Sequence, residues 1–143
     1  QERYSFDPAE WKNQDLIHYL DHGSLIWAGI YSGDIPLLTN SLVLNDACST
    51  CECESYYAKS FCVMALRRGG IGHAGAVSVA WGGNHMYMHI LNGIYYDSLS
   101  LGQAFSRAYT QEGAIPNYWM TTFLGDPTLE LKPPYLLTNP LDF

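Results

Sequence analysis

Short apolar runs and longer stretches of helical period alternate along this chain. Residues Asp15-Leu16-Ile17-His18-Tyr19-Leu20 read as an apolar strand, stopped by Asp21-His22-Gly23-Ser24. Before it, Asp7-Pro8 ahead of Ala9-Glu10-Trp11-Lys12 carries a helix-start signal. Ile35-Pro36 to Asn40 reads as a connection with one helical turn. Ser41-Leu42-Val43-Leu44-Asn45 then forms a second strand of β-type residues, running directly into Asp46-Ala47-Cys48-Ser49-Thr50. Tyr56 to Arg68 has helical period, with Tyr57, Ala58, Phe61, Cys62 and Ala65 on one face and Gly69-Gly70 closing it. A buried strand of small residues is predicted over Ala74–Ala80, ending at Trp81-Gly82-Gly83. Met86–Tyr95 and Leu99–Tyr109 read as helices separated by Asp97-Ser98, with Ser98 a candidate N-cap. Tyr118–Phe123 reads as a strand, Gly125-Asp126-Pro127 as a tight turn, and Thr128–Leu131 as a last strand ended by Pro133-Pro134.

Strands alternating with helices predict an α/β sheet, largely parallel and covered on both faces. With no repeat, linker or low-complexity tract, residues 1–143 read as one unit. The 48% hydrophobic and 15% charged content supports a packed core over disorder. The formal charge of −7 comes without a basic patch, because Lys59, Arg67 and Arg68 look like ordinary helix charges. That argues against nucleic-acid binding, which needs cations to neutralise phosphates. No apolar run approaches the length of a membrane span.

The four cysteines, at 48, 51, 53 and 62, crowd one region. A disulfide framework usually spreads its cysteines to close long loops, so none is expected. A metal site would need a second ligand pair, for which His73, His85 and His89 are only loosely placed. No metal or cofactor is therefore expected, although a metal or redox role for Cys48, Cys51 and Cys53 stands as an alternative. Cys62 reads as a core thiol, His18 as structural, and Asp126 as part of a turn.

The informative positions are two strand ends. In open α/β sheets catalytic groups gather at the carboxyl ends of strands. One strand delivers His22-Gly23 there, and the next delivers Asp46-Ala47-Cys48. On neighbouring parallel strands, imidazole and thiol would share a crevice. A cysteine nucleophile needs an imidazole to favour thiolate and to protonate a leaving amine. Gly23, lacking a Cβ, would let a substrate carbonyl approach the main chain.

In order, spacing and flanks, these residues resemble the gingipain family of caspase-like-fold cysteine peptidases. The resemblance runs through His22-Gly23-Ser24 with Trp27 after it and Asp46-Ala47-Cys48. It continues through the helix from Phe61 to Arg68, the strand ending at Trp81, and Gly125-Asp126-Pro127-Thr128-Leu129. It implies a caspase-like three-layer sandwich and a thiol-dependent peptidase acting on peptide or protein substrates, secreted or at the cell surface. It further implies His22 as general acid and base, Cys48 as nucleophile, an oxyanion hole of the Gly23 and Cys48 amides, and Trp81 beside the primary specificity pocket. Such domains carry two or more β-α units before the histidine strand, and almost nothing here precedes Asp15. The expectation is therefore a C-terminal half lacking the N-terminal β-α units, its sheet border covered by a homodimer partner or a companion chain. The family's acidic specificity residue lies in those units, so side-chain preference does not carry over. A catalytically inactive scaffold or secretion-associated module of the same fold is the rival reading.

Overall fold

A computed structural model of the chain describes residues 7–24, 26, 27, 29–52, 60–80, 86–111 and 120–131. A single 3-10 turn, Pro8–Trp11, opens them, and the Asp7 side chain caps it by accepting from Ala9 N–H. Strand β1 spans Leu16–Leu20, and a two-stranded hairpin follows from β2 (Ile26–Trp27) and β3 (Ile30–Tyr31). Next come β4 (Leu42–Asp46), α1 (Phe61–Arg67), β5 (Gly72–Ala76), α2 (Met86–Tyr95), α3 (Leu101–Gln111) and β6 (Thr121–Gly125).

The main sheet has the order β1-β4-β5-β6. Strands β1, β4 and β5 are parallel, and β6 runs antiparallel to β5. Alternation along the strands sorts the core into two halves. Ile17 and Val43 point to one face and pack with Phe61 and Ala65 of α1 and with Trp27. Leu42, Leu44 and Ala74 point to the other and pack with Met86, Ile90 and Ile94 of α2 and with Leu101, Ala104 and Ala108 of α3. Helix, sheet and helix make three layers, and the central strands β4 and β5 are buried on both faces, as their continuous apolar or small-residue runs require.

Several sequence expectations shift for identifiable reasons. Helix α1 starts at Phe61, because Ser60 caps it by accepting from Val63 N–H; Tyr57 and Ala58 lie outside the described residues. The cap of α3 is Ser100, not Ser98: Ser100 Oγ accepts from Gln103 N–H while Gln103 Oε1 accepts from Ser100 N–H. The helical turn expected within 35–40 falls earlier, at Ser32–Asp34. Strand β5 ends at Ala76 instead of Ala80, since the carbonyls of Ala76 and Ser78 turn to the residues after Cys48. Residues 128–131 form no strand. The carbonyls of Pro127 and Leu129 instead accept from Gly102 N–H and Leu101 N–H, serving the free amides of α3's first turn.

Candidate active site at the strand ends

Parallel pairing of β1 with β4 matches Leu16 to Leu42 and Leu20 to Asp46, a constant offset of 26 residues. His22 and Cys48 differ by the same 26, two residues beyond the last matched pair. Both turns therefore leave the sheet at one level, at its carboxyl edge. Contact between the turns is direct at Gly23, where an added Cβ would lie 2.7 Å from the Ala47 Cβ. Only a hydrogen fits there, so glycine is what lets the His22 turn reach the Cys48 turn.

The His22 turn is supported from below. Tyr19 O–H donates to the His22 carbonyl at 2.8 Å, and the Asp21 carboxylate accepts from His22 N–H at 2.7 Å. The Tyr19 ring stacks on Trp27 with centroids 4.6 Å apart, and Trp27 stacks in turn on Phe61 at 4.3 Å. This three-ring column runs from β1 through the hairpin to α1, and fully buried Trp27 also flanks Gly23. Sequence reasoning placed Trp27 only as a flank and missed its hairpin. The available signal was Ala28-Gly29 between Ile26-Trp27 and Ile30-Tyr31, a two-residue loop between β-type pairs.

His22 is exposed and Cys48 is partly exposed. The thiol donates to the Ala80 carbonyl at 3.3 Å and lies 3.4 Å from Ala80 N–H, which donates to it. Among the described hydrogen bonds it is thus the backbone at residue 80, not His22, that grips the sulfur. Ser49, next in the chain, adopts a left-handed φ of 50° and donates its N–H to the Ser78 carbonyl at 2.9 Å. A thiol, an exposed imidazole and a glycine-lined main chain at one edge are the parts that acyl transfer requires.

The remaining candidates separate from this edge. Trp81, His85 and Cys53 lie outside the described residues. His18 lies on β1, where its ring packs on Tyr87 at 4.1 Å, and Nε2 sits 3.6 Å from an Asp46 carboxylate oxygen. Asp126 follows β6, whose end pairs with the start of β5, so it lies at the opposite end of the sheet. There it accepts from Thr128 Oγ1 and Thr128 N–H, bonds that hold its carboxyl below the usual carboxylate range.

The cysteines correct the sequence reading. No disulfide is expected from the spacing and Cys62 reads as a core thiol, but Cys62 is disulfide-bonded to Cys51, both fully buried, with a Cα separation of 5.1 Å. His73 on β5 lies against the pair, its Nδ1 3.1 Å from the Cys62 sulfur and 3.6 Å from the Cys51 sulfur. Ligand atoms of these three side chains lie within 4.8 Å of one another, the spacing of a metal-binding group, although the bonded sulfurs offer no thiolate. Burial lowers the His73 pKa to about 3, so this imidazole is neutral and sealed away from any substrate.

No helix among the described residues is long and apolar enough to cross a membrane. No family model matches the chain, and no curated protein matches it. Among solved structures, the crystal structure of the Arg-specific cysteine proteinase gingipain R is similar, with a TM-score of 0.67 and 14% sequence identity. The match covers 82% of this chain and 33% of that one, so the chain spans about a third of the proteinase's length. The chain thus has a mixed α/β, caspase-like fold, with a largely parallel sheet between helices, similar to that of the gingipain domain.

Proposed function

We propose that the chain is a cysteine-type peptidase with Cys48 as nucleophile and His22 as general acid and base. The carrying observation is the matched offset of the two residues beyond adjacent parallel strands, with Gly23 against Ala47. Likeness in fold to a cysteine proteinase supports the reaction class. In this reading the Cys48 thiolate attacks a peptide carbonyl carbon, and the amides of Gly23 and Cys48 hold the oxyanion. The C–N bond then breaks as His22 protonates the departing amine, leaving a thioester on Cys48. His22 next takes a proton from water, the hydroxide attacks the thioester, and the thiolate leaves with release of the acid product. Catalytic contacts often close only on substrate, so the Ala80 grip on the thiol is the resting arrangement that substrate displaces.

Trp81 flanks the primary specificity pocket in this reading, by resemblance alone. The buried Cys51–Cys62 disulfide supports a secreted or cell-surface location, where such bonds persist. The same Ala80 grip favours a second reading, an inactive module of the same fold in which the thiol is structural.

Hydrolysis of a fluorogenic peptide panel decides between them. Cys48→Ala is expected to abolish turnover. His22→Ala should lower it by about 10²–10⁴. Gly23→Ala, which presses the two turns apart, should lower it by roughly 10²–10³. Turnover surviving in Cys48→Ala would overturn the mechanism, and a wild type inert on every peptide would favour the module.

A further inference from the structure

We propose that the Cys51–Cys62 disulfide is a positioning clamp that holds the Cys48 turn in its reactive geometry. Residues 48 to 51 are fastened on two sides. Toward the tail of β5, Ser49 N–H donates to the Ser78 carbonyl at 2.9 Å, and Cys51 N–H donates to the Ala76 carbonyl at 2.8 Å. Toward α1, Cys62 N–H donates to the Thr50 carbonyl at 3.2 Å, and the disulfide makes that link covalent. Ser49 sits between them in the left-handed region, a conformation that persists only where the surroundings over-determine it.

The clamp also fits β5 closely. A Cβ added at Gly75 would lie 2.7 Å from Thr50 Oγ1 and 3.1 Å from the Cys51 sulfur. Only glycine lets the turn seat this deeply. Both bonded sulfurs are fully buried, whereas Cys48 is partly exposed. Mild thiol treatment that keeps Cys48 reduced therefore leaves the clamp intact, because exchange requires access to the sulfur attacked. One protein can then hold a structural disulfide and a reactive thiol three residues apart.

This inference rests on Cys48 being the activated thiol, and the test separates the two. Wild-type protein is unfolded with free thiols blocked, digested without reductant, and mapped by mass. A cross-linked peptide joining Cys51 to Cys62, with Cys48 blocked, is expected. Two free thiols at 51 and 62, with or without an equivalent of bound zinc, would overturn the clamp; bound zinc would assign Cys51, Cys62 and His73 to a metal instead. The rate of Cys48 alkylation by iodoacetamide is then followed against pH in wild type and in Cys51→Ser/Cys62→Ser. In the folded double variant the rate at pH 7 is expected to fall about tenfold. An unchanged profile there overturns the clamp while leaving the peptidase reading standing. A wild-type Cys48 that already reacts as an ordinary thiol overturns both. Gly75→Ala keeps both cysteines while pressing on Thr50 and Cys51, so it tests the same coupling if the double variant does not fold. It should lower the rate at pH 7 likewise, and an unchanged rate overturns the clamp.

Discussion

Two histidines show how burial divides labour among identical side chains. His22 stands exposed to solvent at the carboxyl edge of the sheet. His73 lies in β5, fully enclosed, and burial lowers its pKa from 6.5 to about 3. The groups facing it, Cys51 and Cys62, are bonded to each other and do not titrate, and Trp27 is uncharged. The folded protein therefore keeps His73 neutral down to about pH 3, while the unfolded chain takes up the proton near 6.5. Protons favour the unfolded state across that window: stability from this group is full above about 6.5 and falls as pH drops toward 3. Between pH 6.5 and 4.5 the loss should be about 2–3 kcal/mol. Urea unfolding of wild type and His73→Leu at both pH values checks this. Equal pH dependence in the two proteins would rule out His73 as the cause.

At the level of elements, the β2–β3 hairpin governs the site more than its four strand residues suggest. It inserts Trp27 between Tyr19 and Phe61, joining the histidine strand to the helix that carries Cys62. Trp27 is 1% exposed and also meets Trp11 at 5.7 Å, so truncation leaves a cavity at the junction of three elements. Trp27→Ala is expected to cost about 3–5 kcal/mol in chemical denaturation. It should also loosen the His22 turn, because Tyr19, which holds the His22 carbonyl, loses its stacking surface. A loss below about 1 kcal/mol would mean that the ring column is not a support. Helices α2 and α3 belong to the opposite core half and take no part in this column.

For the whole molecule, the sheet order puts β1 at a border among the described residues. A border strand offers a row of unpaired N–H and C=O groups, and here Leu20 adds an apolar side chain that is 57% exposed. The chain is expected to self-associate along β1 and to sediment as a dimer at micromolar concentration, with the β1 amides that face away from β4 slow in hydrogen exchange. A monomer in which those amides exchange fast would show that this border stays open. The same border lies beside the candidate site, since β1 carries His22 at its end. Pairing along it would stiffen the strand from which the imidazole projects.

The positions of β1 and β4, the largely parallel α/β class and the two strand-end turns were legible from local pattern, whereas the β2–β3 hairpin was not. Runs such as Leu42-Val43-Leu44 and the helical period at Met86–Tyr95 depend mainly on neighbours close in sequence. His22-Gly23 and Ala47-Cys48 could be named for the same reason: each directly follows such a run. Tertiary structure alone decided the rest. That β1 lies beside β4 in a register matching His22 to Cys48, that Cys51 meets Cys62 instead of Cys48, and that His73 is sealed while His22 is open all depend on side chains brought together across the fold. The same holds for residues 128–131, which have the alternation of a strand, yet the Leu129 carbonyl accepts from Leu101 N–H of α3. Alternation sets which way a side chain points along one strand. What it meets there depends on which element packs opposite, and no local pattern carries that information.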